Sequence, residues 1–305
     1  MSSFSPDGED RENDMEDLTG KVAFITGGAS GIGFGMARAF LAEGMKVALA
    51  DWNGEHIAKA KAQLSGNNAA IFIKTNVASR DSLRAAAEET LDAFGKIHVL
   101  CNNAGVNGGG TAASEDFDDW DRAIAVNLGG AVNVVKTFVP LIREHGEGGH
   151  VVNTSSIAGV IALPYEGGAY TTAKFAVRGL SESLRLSLAP EGIGVSVLCP
   201  GLTRTRIMES PDRQDPGAKP MSREGDPDAL FNSLEGAMDP IEVGRAVVRG
   251  IRDNLPYILT HGEFHDEVRA LFDEIVEAFP VDQAVPEARA AFERGRRPCG
   301  ATRRR

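Results

Sequence analysis

Tyr170 and Lys174 stand four residues apart in the run Tyr170-Thr171-Thr172-Ala173-Lys174. On a helix that spacing puts a phenol and an ammonium on one face. The ammonium favours the phenolate and lowers a phenol pKa whose reference is ~10. A tyrosine tuned in this way is a general acid/base near neutral pH. Upstream, Thr26-Gly27-Gly28-Ala29-Ser30-Gly31-Ile32-Gly33 joins an apolar run to a helical pattern. Its glycines allow a tight turn, and the N–H groups of a helix start bind a pyrophosphate. A proton-transfer group and a dinucleotide site in one chain point to hydride transfer between a carbinol and a nicotinamide.

Other polar residues fall where such chemistry needs them. Asp51 ends the next apolar run and is followed by Trp52. Its carboxylate can accept hydrogen bonds from adenosine ribose hydroxyls, or it can cap a helix that starts at Gly54. Asn102-Asn103-Ala104-Gly105 closes a fourth run, where small residues let backbone approach a ligand. Ser155 and Ser156 close a fifth, and a serine hydroxyl there can donate to a substrate carbonyl oxygen. Pro200-Gly201 closes a sixth, with Thr203 and Thr205 beyond it to hold the nicotinamide end. Asn127, taken alone, reads as a helix N-cap. His261 and His265 have metal-ligand spacing, but Gly262 lies between them and no third ligand is evident, so no metal is expected.

Strands and helices must alternate to place these residues. The apolar runs Lys21–Thr26, Lys46–Asp51, Ala70–Thr75, Ile97–Asn102, His150–Ser155 and Gly194–Cys199 read as buried strands. Helical patterns lie between them at 31–43, 54–64, 81–94, 117–126, 128–144 and 168–188. This rhythm predicts an α/β fold, a doubly wound parallel sheet of Rossmann type. Residues 18–260 form its domain, and 202–238, polar and without period, form a lid insertion. Residues 240–253 are helical again, and a last strand is expected near Tyr257–Thr260. Residues 1–17 read as a disordered tail, and 261–305 as a helical extension with a basic tail. Asn107-Gly108-Gly109-Gly110 reads as a flexible loop over the substrate cavity.

Composition excludes several classes. The chain has 305 residues and a net charge of −11, which argues against nucleic acid as a partner. The three cysteines are scattered, with no zinc-type spacing, and fit reduced thiols in the cytoplasm. No secretory signal and no apolar run of ~18 residues is evident, so no membrane partner is expected.

Taken together, the motifs resemble the classical short-chain dehydrogenase/reductase family over roughly residues 18–260. The resemblance rests on TGGASGIG at 26–33, Asp51, NNAG at 102–105, Asn127, the serine pair, YTTAK at 170–174 and PG at 200–201. It implies that Tyr170 is the catalytic acid/base and that Lys174 binds the nicotinamide ribose and lowers the tyrosine pKa. Asn127 is implied to anchor a water in a proton relay. Ser156 rather than Ser155 matches the catalytic serine, because Gly159 follows it by three. The cofactor residues implied are Gly27, Ser30, Gly31, Ile32 and Gly33 in the turn, Asp51 and Trp52, and Asn103, Ala104 and Gly105. Pro200, Gly201, Thr203 and Thr205 complete them, with Tyr170 and Lys174. Asn76, followed by Val77, replaces the family's acidic residue on the adenine side, and an amide still hydrogen-bonds adenine. The family also implies a homo-oligomer, a dimer or tetramer built on 128–144 and 168–188. More loosely, the FGMARAF helix and the C-terminal extension resemble bacterial Cα-dehydrogenases of lignin-type aryl ethers.

The expected cofactor is NAD, and the expected substrate is a secondary alcohol or ketone with a hydrophobic or aromatic body. An NADPH-dependent 3-oxoacyl reductase is the first alternative, and Asp51 disfavours it. A non-catalytic NAD(H)-binding sensor is the second, and it has no need of the serine, tyrosine and lysine set. An epimerase or dehydratase of the extended family would carry a differently spaced glycine motif.

Overall fold

A computed structural model describes residues 15–108, 111–113, 117–163, 167–207, 236–281 and 284–296. Seven parallel strands run in the order β3-β2-β1-β4-β5-β6-β7. They are β1 Val22–Thr26, β2 Lys46–Asp51, β3 Ala70–Lys74, β4 Val99–Asn102, β5 Gly149–Thr154, β6 Ile193–Cys199 and β7 Tyr257–Leu259. The strand order reverses between β1 and β4, which makes the carboxyl ends there the crevice for a ligand.

The strands are apolar because both faces are covered. Along β1, Ala23 and Ile25 face one core and Phe24 the other, the alternation a strand imposes. The first core takes Met36 and Phe40 from α1 (Gly31–Ala42) and Val243, Val247 and Ile251 from α7 (Pro240–Arg252). The second takes Leu83 from α3 (Arg80–Phe94) and Val134, Phe138 and Ile142 from α5 (Ala131–His145). Phe24 and Phe138 stack there with ring centroids 4.0 Å apart. Three further helices are found among the described residues up to His261: α2 (Gly54–Gln63), α4 (Phe117–Ala123) and α6 (Gly168–Leu188).

The structure corrects the sequence reading at three points. The tail was expected to be disordered through residue 17, yet Met15 is fully buried in the first core. Glu16 O accepts from Arg252 Nε, which fixes the chain there to α7. Residues 1–14 lie outside the described residues. Secondly, no membrane-length apolar stretch was expected, but the helical run Phe117–His145 is long and apolar enough for one by composition. Val134, Val135, Phe138, Val139 and Ile142 on α5 are buried against the sheet, whereas Val132 is 37% exposed. Thirdly, two helices were expected on either side of Asn127. The chain instead continues from α4 through a π-helical turn, Ile124–Gly130, into α5.

The chain divides into two units, Met1–His261 and Gly262–Arg305. The second holds α8 (His265–Glu277) and α9 (Glu287–Arg296).

A buried histidine makes the fold sensitive to acid. His150 on β5 donates from Nε2 to Ser196 Oγ at 2.8 Å, and its Nδ1 has no partner. Burial, reinforced by the Arg185 guanidinium, pushes its pKa down from 6.5 to about 3. Between those values the unfolded chain binds a proton that the folded chain refuses. Stability must therefore fall with pH across that window, by up to ~1.4 kcal/mol per unit. Urea unfolding should show the wild type losing ~2 kcal/mol more than His150→Leu between pH 6.5 and 4.5. Parallel losses would mean that His150 is not the group refusing the proton.

Candidate active site

The site lies at the carboxyl ends of the strands, beginning with the turn between β1 and α1. Gly27 and Gly31 have φ of +61° and +49°, open to glycine at little cost. A methyl on Gly33 would sit 2.1 Å from Gly27 O, so the turn folds back onto the helix start. Thr26 ties this turn to β4. Its Oγ1 accepts from the N–H groups of Asn103 (2.9 Å) and Ala104 (3.0 Å). Asn103 Nδ2 returns a bond to Thr26 O at 3.1 Å, and Asn103 Oδ1 accepts from Thr154 Oγ1 at 3.3 Å. The Asn103 side chain is thus occupied in bracing the crevice. Asn102 Nδ2 donates to Ala131 O and to Asn153 Oδ1, and Asn153 Nδ2 donates to Ser181 Oγ. This buried chain of amides fastens α5, β4, β5 and α6 together.

Asp51 closes β2 and is buried. It accepts from Ala29 N–H in the glycine turn (3.1 Å) and from Asn53 N–H (3.0 Å). Burial raises its carboxyl pKa, and those two bonds pull it back. The cap of α2 is Asn53, which accepts from Glu55 and His56 N–H. Asp51 is therefore not the cap that was its alternative reading. Trp52 is 41% exposed, with Lys74 Nζ 5.6 Å from its ring centroid. Asn76 Oδ1 accepts from Ala78 N–H, and Val77 packs against Gly130 of the π turn.

Tyr170, Ala173, Lys174, Val177 and Ser181 form the buried stripe of α6, at the i, i+3, i+4 spacing of a core-facing helix. Lys174 Nζ lies 5.4 Å from the Tyr170 ring centroid and donates to Thr154 O at 3.0 Å. Burial holds the ammonium pKa down to about 8. A methyl on Gly105 would touch both Lys174 Nζ and Asn127 Oδ1, so glycine there lets the β4 loop pass between them. Asn127 sits inside the π turn and not at a helix start. Its amide pairs with the Val106 peptide in both directions, at 2.9 Å each. Such turns recur at functional sites because they rotate one side chain out of helical register.

The serine pair divides its work. Ser155 Oγ donates to Lys174 O at 2.7 Å, and a methyl on Gly159 would collide with that hydroxyl. Ser156 Oγ accepts from Ala158 N–H at 3.1 Å, which leaves its proton to be donated elsewhere. The following residue, Ile157, donates from N–H to Pro200 O at 2.9 Å. Thr203 Oγ1 donates to Gly201 O, and Thr205 lies against Gly31.

The short chain dehydrogenase family model matches residues 21–216. The chain belongs to the short-chain dehydrogenase family. It is an oxidoreductase of that family by this match and by its relatives. A Cα-dehydrogenase from Sphingobium sp. strain NBRC 103272 / SYK-6 is 35% identical over 279 residues, 90% of this chain and 91% of that one. A 3-alpha-(or 20-beta)-hydroxysteroid dehydrogenase from Mycobacterium bovis is 36% identical over 240 residues, 79% and 85% of the two chains. Among solved structures, a short-chain dehydrogenase/reductase from Burkholderia phymatum in complex with NAD superposes with a TM-score of 0.78. It is 32% identical and covers 88% of this chain and 99% of its own.

For this dehydrogenase the remaining sequence expectations divide. Residues 203 and 238 form a parallel bridge, so the ends of the segment expected as a lid are tied together. Residues 208–235 lie outside the described residues, as do Tyr165, Gly109 and Gly110. Gly108 packs against the start of α6. His261 uses both ring nitrogens on backbone and hydroxyl partners, which leaves none for a metal. Among the described residues, one other group has the proximity a metal needs: His98, His145 and Glu147, at the opposite end of the sheet. His98 Nδ1 accepts from Val22 N–H and His145 Nδ1 from Glu147 N–H, so both imidazole lone pairs are already used.

Arg206 Nη1 lies 3.5 Å from Nε2 of His56 on α2. It lines a groove of about 230 Å³ with Arg38, Arg204, Thr205 and Phe34, beside Gly31. No signal in the sequence pairs residue 206 with residue 56.

Proposed function

We propose that this chain is an NAD-dependent oxidoreductase that interconverts a secondary alcohol and a ketone. The observation that carries the reading is the buried Lys174 ammonium beside the Tyr170 ring, between Thr154 and the Gly105 loop. A buried ammonium stabilises a phenolate on the same helix face. Tyr170 then takes the carbinol proton in oxidation and returns it in reduction. Ser156 donates its hydroxyl proton to the substrate oxygen and so fixes the carbinol toward Tyr170. Asn127 holds the β4 loop against α6 and keeps the exit for the proton in place.

The turn Gly27–Gly33 and the buried Asp51 fit the pyrophosphate and adenosine ribose of a dinucleotide. When bound, the nicotinamide supplies the hydride acceptor. The names of the Cα-dehydrogenase and hydroxysteroid dehydrogenase relatives support a bulky, largely apolar alcohol.

Cofactor preference tests the reading. The 2′-phosphate of NADP would meet the Asp51 carboxylate where NAD presents a hydroxyl. Two unit charges ~4 Å apart at an effective dielectric of ~20 repel by about 4 kcal/mol, before screening. Exposure and salt reduce this, and ~1.4 kcal/mol already gives tenfold discrimination. Measured as kcat/KM with one alcohol, wild type should favour NAD about tenfold, and Asp51→Ser should lose most of that preference. A wild-type preference for NADP would favour the NADPH-dependent reductase instead.

A further inference from the structure

His261 follows β7 in the chain but reaches the end of β6. Gly201 N–H donates to its Nδ1 at 3.0 Å, and so does Thr260 Oγ1 at 2.8 Å. With Nδ1 accepting, the ring proton is on Nε2, which donates to Leu202 O at 2.9 Å. One imidazole therefore grips two consecutive residues of the turn, Gly201 by its N–H and Leu202 by its carbonyl, from a residue some sixty positions away. Pro200 has no N–H, so the turn has few bonds of its own. The carbonyl of Pro200 takes the N–H of Ile157, next to Ser156. Leu202 O also accepts from Met238 N–H, where the chain returns toward α7. The imidazole thus sits at the junction of the β6 turn, the serine turn and β7.

We propose that His261 is a positioning residue for hydride transfer, holding the Pro200–Leu202 turn in the form that seats the nicotinamide end and aims Ser156. This rests on the dinucleotide reading given above. The imidazole touches neither substrate nor cofactor; it acts through Gly201 and Leu202. Its loss frees two peptides at the nicotinamide end and leaves the Gly27–Gly33 turn and Asp51 unaltered. ADP-ribose, which lacks the nicotinamide, separates the two ends.

The test compares wild type, His261→Ala and His261→Asn. Asparagine keeps an acceptor near the Nδ1 position and loses the donor to Leu202. NADH affinity should fall about tenfold in His261→Ala, the size of one or two ordinary hydrogen bonds, and about threefold in His261→Asn. ADP-ribose affinity should stay within about twofold of wild type in both, and the Gly201 amide should exchange faster in His261→Ala than in His261→Asn. Parallel losses of NADH and ADP-ribose, or an unchanged Gly201 amide, would overturn the positioning role. If His261→Ala fails to fold, the asparagine variant decides by the two affinities: NADH affinity must fall while ADP-ribose affinity holds. Wild type that binds neither ligand would refute the dinucleotide reading, and the proposal with it.

Discussion

Tyr170→Phe is expected to lower turnover by ~10²–10⁴-fold while dinucleotide binding stays within about twofold of wild type. Tyr170 is only 8% exposed, and its ring belongs to the buried stripe of α6, so phenylalanine keeps the packing. What is lost is the proton-transfer oxygen beside the Lys174 ammonium. Ser156 can still orient a carbinol, but its hydroxyl is a poor base at neutral pH. Steady-state kcat and NADH fluorescence titration separate the two effects. A variant that kept more than a tenth of wild-type turnover would remove Tyr170 from the mechanism. A variant that lost NADH binding in step with turnover would make the ring a structural support and no more.

Lys174→Met is expected to be as damaging to turnover, by ~10² or more, and its effect on stability should reverse with pH. Burial holds the folded-state pKa of Lys174 down from 10.5 to about 8. Below pH 8 both states carry the proton, and the fold bears the full cost of a buried charge, ~3 kcal/mol. Between pH 8 and 10.5 the unfolded chain holds a proton that the folded chain has released. Wild-type stability must therefore rise with pH across that window, by up to ~1.4 kcal/mol per unit. Methionine removes the charge but leaves Thr154 O without its donor, at ~1–3 kcal/mol. The variant should thus match or exceed wild type at pH 7 and fall behind it by pH 10. Urea unfolding of both proteins across that range, without added dinucleotide, is the measurement. If the difference did not vary with pH, the ammonium would not be buried as described. A charge kept at such a cost fits the usual trade of stability for function, as the proposed role of Lys174 requires.

Part of this site was legible before any coordinates, and the legible part has a common character. Tyr170 and Lys174 are four apart on one helix, so spacing alone put them on one face. The glycine turn is contiguous, and its place between a strand and a helix follows from local hydrophobicity. Gly159 three residues after Ser156 bears on the choice between the two serines indirectly. The structure shows that Gly159 makes room for the Ser155 hydroxyl, which leaves Ser156 as the one with a proton to give.

Contacts between distant segments were not legible. Asn127 read as a cap because a helix break seemed to fall there. Its pairing with Val106 across the crevice holds it in a π turn, and neither residue announces the other. Thr26 and Asn103 read as strand-end residues, and only the β1–β4 neighbourhood turns them into a brace. Met15 looked like one apolar residue in a polar tail until α1 and α7 supplied its cavity wall.

By itself, then, the amino-acid sequence determined the alternation of strands and helices, the reversal-type sheet and the chemical groups available. Those depend on periodicity and on residue type, which act over a few neighbouring positions. The tertiary structure decided the state of those groups. It set how far Lys174 is buried, whether Asp51 is capped or coordinated, what Arg206 faces, and that His261 grips the Pro200–Leu202 turn. Desolvation and hydrogen bonding across the fold depend on which segments meet, and spacing along the chain carries no record of that.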